Sequence, residues 1–294
     1  MRVGITGGSG LIGRALSRRL LSERHDVVPF VRRAAAPGEV FWDPVAGVID
    51  RAELGSLDAI VHLAGVGIAE HRWTDDHKRA IAESRINGTT LLSEAIAEVG
   101  GPAVLLSGSA IGYYGDGDVR VNESSPPGDD FLAKVCVDWE RSTAAAAAAG
   151  TRVVHLRTGI VLSDDGGALA KMLPIFKLGL GGRFGDGTQW MSWIAIDDEV
   201  GAITHLLTSA VEGPVNLTAP HPVRNLEFVK ALGEALHRPS IVPVPRFAPR
   251  LLLGTEAADN LLFNGQRVDP KVLTEDGYEF QFPGLDEALA ALLT

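Results

Sequence analysis

Cysteine is almost absent from the 294-residue sequence: Cys136 stands alone, so neither an internal disulfide nor a thiolate metal cluster can be built from this chain. A reducing compartment suits such a protein, and no metal is expected. Long apolar runs are missing as well. None reaches the roughly 18 residues of a membrane span, and Met1-Arg2-Val3-Gly4-Ile5 opens without a long apolar stretch after a basic start. No membrane partner is expected, and the expected compartment is the cytoplasm. Positive charge is in deficit, with 27 Lys and Arg against 37 Asp and Glu, a formal net charge of −10. An acidic surface repels a polyphosphate backbone, which argues against nucleic acid as a partner. What is present is an ordinary globular mixture, 46 % hydrophobic and 22 % charged, long enough at roughly 100 to 200 residues per domain for one large domain or two coupled ones.

Apolar runs at residues 2–6, 27–31, 58–65, 103–107 and 152–156 read as strands, the continuous ones as strands buried on both faces. Pro29 removes one ladder donor, so the second run is expected at an edge or irregular position. Helical spacing from Leu11 to Leu21 and from Thr89 to Val99 places helices between them. A further helix is predicted from about Ala133 through the Ala144–Ala149 tract, ending on Gly150 where a left-handed cap belongs. This alternation predicts an α/β protein with a doubly wound parallel sheet. After Gly159 the texture changes to Gly-rich and then Pro-rich segments. The predicted division is a nucleotide-binding domain over 1–158 and a smaller, mainly substrate-binding lobe over 159–294, with parts returning to the sheet.

Thr6-Gly7-Gly8-Ser9-Gly10-Leu11-Ile12-Gly13 lies directly after a strand and before a helix. Gly7 suits the tight turn, Gly10 the approach of a pyrophosphate and Gly13 close helix packing, with the anion on the helix N-terminus. Asp or Glu at the end of the second strand would select NAD through the ribose hydroxyls; this chain has Arg32 and Arg33. Two guanidiniums suit a 2′-phosphate, so NADP(H) is the expected cofactor. The alternative is two solvated charges at a strand end.

The glycine loop, His62-Leu63-Ala64-Gly65, Ser107-Gly108-Ser109 with Tyr113-Tyr114-Gly115, Arg157, and Trp193-Ile194-Ala195-Ile196-Asp197-Asp198 resemble the extended short-chain dehydrogenase/reductases. That group is the NAD(P)-dependent epimerase/dehydratase superfamily. Gly265-Gln266-Arg267-Val268-Asp269-Pro270-Lys271 and the Leu285–Leu293 tail resemble its atypical "epimerase family" branch. The resemblance implies a Rossmann domain whose cofactor contacts include Gly7, Ser9, Gly10, Leu11, Ile12, Gly13, Arg32, Arg33, Leu63, Ala64 and Gly65. In the superfamily a Tyr and a Lys four residues later carry the acid/base chemistry. Aligned through Glu140, the Lys slot here holds Cys136 and the Tyr slot Leu132; Lys134 lies about 200° around the helix from Cys136. Arg85 stands where the superfamily has an Asn of a proton relay. The branch is similar in having Arg and Cys at these slots.

Ser109 matches the superfamily Ser that hydrogen-bonds a substrate oxygen; the alternative is a hydroxyl capping local backbone. Tyr113 or Tyr114 offers a phenol to a developing alkoxide, or an aromatic wall. Arg85 suits an anionic substrate or cofactor phosphate, or else a structural ion pair. Cys136 is either an activated thiol or a small buried hydrophobe, and His62 reads as a packed core histidine. His221 and His237 lack spaced partners for a metal. The resemblance implies substrate contacts from Gln189, Trp190, Trp193 and Arg267, with packing as the alternative. The expected function is an NADP(H)-dependent oxidoreductase or epimerase-like enzyme acting on a small carbonyl or hydroxyl compound without the Tyr/Lys pair. The competing reading is a catalytically silent nucleotide-binding sensor or scaffold.

Overall fold

The buried runs assemble side by side in the computed structural model, which describes residues 1–293. The first half contains β1 (Arg2–Thr6), α1 (Leu11–Ser22), β2 (Asp26–Val31), β3 (Val40–Asp43), β4 (Val48–Ile49), β5 (Ala59–His62), α2 (Asp75–Val99), β6 (Val104–Ala110), β7 (Arg120–Val121), α3 (Phe131–Arg141), α4 (Ala144–Ala148) and β8 (Arg152–Thr158). The second half contains β9 (Ile160–Ser163), α5 (Gly167–Lys177), β10 (Trp190–Met191), β11 (Trp193–Ala195), α6 (Ile196–Thr208), β12 (Gly213–Leu217), β13 (Val223–Arg224), α7 (Asn225–Ala235), α8 (Phe247–Leu253), α9 (Thr255–Ala258), β14 (Arg267–Val268), α10 (Lys271–Glu275) and α11 (Leu285–Leu293).

Eight strands form one sheet in the order β12-β8-β6-β5-β1-β2-β3-β4. All pairs are parallel except β3 with β4. The chain runs outward from β1 to β4 on one side, then crosses back to β5 and runs outward on the other. The order therefore reverses between β1 and β5, and the crevice at the carboxyl ends of those two strands is where such sheets bind ligands. One face packs Val3, Ile5, Val61 and Leu106 against Leu16 and Leu20 of α1 and Ile203 and Leu206 of α6. The other packs Val28, Ile60 and Leu105 against Leu92 and Ile96 of α2 and Ala146 of α4. A separate core gathers Leu169, Leu173 and Phe176 of α5, Trp193, Phe228 and Leu232, and Leu285 and Leu289 of α11.

Three details differ from the sequence reading. β2 is an interior strand, paired with β1 through Pro29 and with β3 only from Phe30 onward, so the proline sits where the β3 ladder has not begun. The helix expected over Thr89–Val99 begins at Asp75. Its first turns are too polar to show an apolar stripe, yet Thr74 caps them by accepting from the His77 amide, with Asp75 and Asp76 on the positive helix end. The helix expected from Ala133 to Gly150 is broken between Arg141 and Ala144. There the hydroxyls of Ser142 and Thr143 donate back to the carbonyls of Asp138 and Glu140, a local alternative to the helical ladder.

Candidate cofactor and catalytic site

At the β1/β5 crevice the glycines are required by backbone contacts. A Cβ on Gly13 would lie 2.3 Å from the Gly7 carbonyl oxygen, and one on Gly7, whose φ is +69°, would lie 2.8 Å from the carbonyl carbon of Leu63. The Gly10 amide donates to the Gly7 carbonyl at 2.9 Å, closing the turn. Gly10 caps α1 with no side-chain hydrogen bond, so the first-turn amides of Leu11, Ile12 and Gly13 remain open to an anion. Ser9 is exposed beside them. The neighbouring β5 end is tied down by Thr6, whose hydroxyl oxygen accepts from the amides of Leu63 and Ala64 at 3.1 and 3.2 Å. That oxygen also lies 2.7 Å from His62 Nδ1, and His62 Nε2 lies 3.0 Å from Thr89 Oγ1. Burial pulls the His62 pKa down to about 4, so the ring is neutral near pH 7 and is a core bridge between strand and helix.

The two arginines after β2 differ. Arg33 forks onto Glu39, its Nη1 and Nη2 donating to the two carboxylate oxygens at 2.6 and 2.5 Å. The hydrogen bonds and charge of that carboxylate hold its pKa above the ordinary value. Arg32 is exposed and has no hydrogen bond or ion pair within the described residues.

The carboxyl ends of β6, β8 and β12 carry a side-chain network in which Glu123 Oε2 alone is left buried without a partner among the described residues. Arg157, buried on β8, donates from Nε and Nη2 to the two oxygens of Glu140 at 2.8 and 2.9 Å. Burial opposes this cation, but the hydrogen bonds and charge of Glu140 outweigh it, and its pKa is raised. Ser109 spends its proton on the same carboxylate, donating to Oε1 at 2.8 Å. The Tyr114 hydroxyl donates to Asn216 Oδ1 at 2.7 Å while accepting from Arg157 at 3.0 Å, and burial pushes its pKa up to about 12. Asn216 in turn reaches the Asp269 carbonyl, and Glu123 accepts from the amides of Asn216 and Val272. The network thus ties the C-terminal segment to the sheet.

This arrangement engages Ser109, the expected partner of a substrate oxygen, and Tyr114, one of the two candidate phenols, inside the protein. Ser109 and Tyr114 are buried, at 5 % and 8 % exposure, with their hydroxyl protons engaged internally. Tyr113 differs: it is partly buried, its ring lies 3.5 Å from the Arg157 guanidinium carbon, and its hydroxyl has no partner within the described residues. Cys136 faces the Ala110 carbonyl at 3.7 Å. Burial, then the nearby Glu140 charge, pushes its thiol up to about 12, which disfavours the thiolate. Leu132 is half-buried on α3 and Lys134 is exposed.

Beyond β8, Trp193 is completely buried and its indole nitrogen donates to the His221 carbonyl; it is a core residue. Gln189 borders a cavity of about 620 Å³ together with Trp190, Arg224, Arg246 and Phe263. Its amide nitrogen is spent on the carbonyls of Leu262 and Phe184 at 2.6 and 3.3 Å, bracing the loop. Arg267 lies 4.7 Å from the Trp190 ring, which Arg224 also approaches at 3.8 Å. Glu140, Glu123 and Asn216 escaped the sequence reading as functional groups, and so did Glu199 on α6. Glu199 is fully buried, accepts from Thr158 at the end of β8, and is pushed up to about 8 by burial. Asp197, Asp198 and Glu199 stand together in the first turn of α6, a run of three carboxylates that does not announce which of them turns inward.

Sheet order, crevice and glycine loop together define a Rossmann-type α/β protein. The sequence profile of the NAD dependent epimerase/dehydratase family matches residues 3–218, and that of a domain of unknown function, DUF1731, matches residues 244–292. The chain belongs to the NAD dependent epimerase/dehydratase family. It is 45 % identical to the epimerase family protein Mb2239 of Mycobacterium bovis, over 99 % of this chain and 97 % of that one. It is 40 % identical to the chloroplastic SDR39U1 homolog of Arabidopsis thaliana, over 100 % of this chain and 87 % of the relative. The crystal structure of the human epimerase family protein SDR39U1 with NADPH superposes with a TM-score of 0.92 at 35 % identity, covering 99 % of both chains. No helix of the described residues is long and apolar enough to cross a membrane.

Proposed function

We propose that the protein is an NADPH-dependent oxidoreductase, or epimerase-like enzyme, acting on a small carbonyl or hydroxyl compound. The observation that carries the cofactor choice is Arg32, an exposed guanidinium without a partner at the end of β2, beside a glycine loop with open helix amides. The human relative crystallised with NADPH supports the same choice. The first-turn amides of α1 would hold the pyrophosphate and Arg32 the 2′-phosphate; the fit is enforced by glycines at the points where a Cβ would collide. When bound, the cofactor supplies a hydride to the carbonyl carbon. The proton that the carbonyl oxygen then needs comes from the Tyr113 hydroxyl, the phenol of the Tyr113–Tyr114 pair whose proton is not already committed. Arg157 lies against the Tyr113 ring and positions it. Arg85 lines the same crevice at the β5 end.

NADPH consumption over a panel of carbonyl compounds tests this reading. Tyr113→Phe is expected to lower kcat about 100-fold or more, the usual contribution of general acid catalysis, with NADPH affinity unchanged. An unaltered kcat would remove Tyr113 from the mechanism. The engagement of Ser109 and Tyr114, together with Leu132 and Cys136 in the superfamily's Tyr and Lys slots, favours one second reading, a nucleotide-binding sensor or scaffold. Tight NADPH binding with no turnover of any compound in the panel would select it.

A further inference from the structure

A charge removed from water is normally paired, because an uncompensated ion in a low-dielectric setting costs several kcal/mol. Arg85 departs from it in part: it has no carboxylate partner, and its unpaired Nε and Nη2 keep contact with solvent. It is partly buried on α2, and no carboxylate lies within ion-pair distance. Its surroundings are neutral: the backbone of Gly65, where a Cβ would lie 3.2 Å from the guanidinium carbon, the Trp139 ring at 5.1 Å, and the un-ionised Cys136 thiol. Burial accordingly lowers its pKa, and no carboxylate opposes that shift.

The hydrogen bonds show which edge is free. Nη1 donates to two carbonyls, Val66 and Ile81, both at 3.0 Å, which uses its two protons and fixes the plane of the group. Nε and Nη2 have no partner within the described residues. Those two nitrogens form the side of the guanidinium that takes a carboxylate or phosphate through two parallel hydrogen bonds. The position is also defined. Gly65 follows the Leu63–Ala64 pair that packs against Gly7, and Cys136 abuts the carbonyl of Ala110 at the end of β6. Arg85 therefore stands at the carboxyl ends of β5 and β6, beyond the glycine loop and away from Arg32 at the end of β2.

We infer that Arg85 binds an anionic group, a carboxylate or phosphate, of the substrate, so that the substrate class is an anionic carbonyl or hydroxyl compound. This rests on the reading of the β1/β5 crevice as the NADPH site. Both the cofactor and the substrate carry such chemistry, and the experiment separates them. Wild-type protein is first titrated with NADPH, which tests the cofactor reading alone. The NADP⁺-saturated protein is then titrated by calorimetry with oxalate, inorganic phosphate and, as a neutral control, oxamide.

Oxalate or phosphate is expected to bind at one site and oxamide not to bind. Arg85→Gln is expected to weaken the anion tenfold or more while leaving NADPH affinity within threefold of wild type. Arg85→Lys, which keeps the charge and loses the fork, is expected to retain part of the anion affinity. A residue that only braced the Val66 loop would make the two variants equivalent, so equal anion affinities in Gln and Lys variants would overturn the inference. So would a holo-protein that binds neither anion, anion binding unchanged in Arg85→Gln, or a tenfold loss of NADPH affinity in Arg85→Gln, which would hand the residue to a cofactor phosphate. If NADPH itself fails to bind wild type, the cofactor reading fails first and separately.

Discussion

The β1/β5 end of the sheet and the β6/β8/β12 end solve the problem of polar groups at strand termini in opposite ways. At β1/β5 the donors are main-chain amides, left open by three glycines and one helix start, and Arg32 stands unpaired beside them. At β6/β8/β12 the polar groups are side chains that satisfy one another: Ser109 with Glu140, Glu140 with Arg157, Arg157 with Tyr114, Tyr114 with Asn216. The first end is prepared for a ligand, because its unmet donors face a crevice. The second is a fastening, because almost every proton in it has an internal acceptor. The sequence places Ser109 and both tyrosines among the candidate chemical groups; Ser109 and Tyr114 are engaged in the fastening, and the Tyr113 hydroxyl is not.

The comparison makes its largest demand on stability. Glu140→Ala would leave Arg157, 2 % exposed, without its carboxylate, and breaking a buried pair on one side typically costs about 3–5 kcal/mol. Urea unfolding should show that loss even without cofactor. A loss below about 1 kcal/mol would mean that the network is not a fastening.

A smaller effect is expected from Glu199, next to Thr158 at the same end. Its pKa of about 8 lies above the ordinary carboxylate value of 4.5. Between those values the folded chain holds a proton that the unfolded chain releases, so stability falls as pH rises through that window and levels off above about pH 8. The change is on the order of a few kcal/mol. Glu199→Gln should flatten the decline in unfolding free energy between pH 6 and 9. An equally steep decline in the variant would place its origin elsewhere.

The difference between the two ends also explains what the sequence made legible. Gly7, Gly10 and Gly13 could be read because a backbone that must turn tightly and admit a pyrophosphate tolerates few residue types, and the three lie within seven positions of one strand–helix junction. Arg32 and Arg33 were readable as a pair but not as individuals. Glu39, which takes up Arg33, comes after a turn that shows no periodicity. The Glu140–Arg157–Ser109 cluster joins residues from a helix and two strands, and no local pattern announces which hydroxyl will be consumed. Trp193 was open to two readings for a related reason: a tryptophan after a glycine-rich loop looks alike whether it lines a cleft or, as here, fills the core under α5 and α7. The last two strands on one side of the sheet, β3 and the edge strand β4, carry no readable pattern because they are four and two residues long.

The claim that the β1/β5 end is prepared for a 2′-phosphorylated dinucleotide through one free arginine is tested most directly by titrating wild type, Arg32→Ala and Arg33→Ala with NADPH and NADH. Wild type should bind NADPH at least tenfold more tightly, a difference of about 1.4 kcal/mol, within the range of a charge-assisted bond. Arg32→Ala should abolish the preference while leaving NADH affinity unchanged, and Arg33→Ala, whose guanidinium is held by Glu39, should reduce it by less. Equal affinity of wild type for the two cofactors, or a larger loss in Arg33→Ala than in Arg32→Ala, would contradict the account.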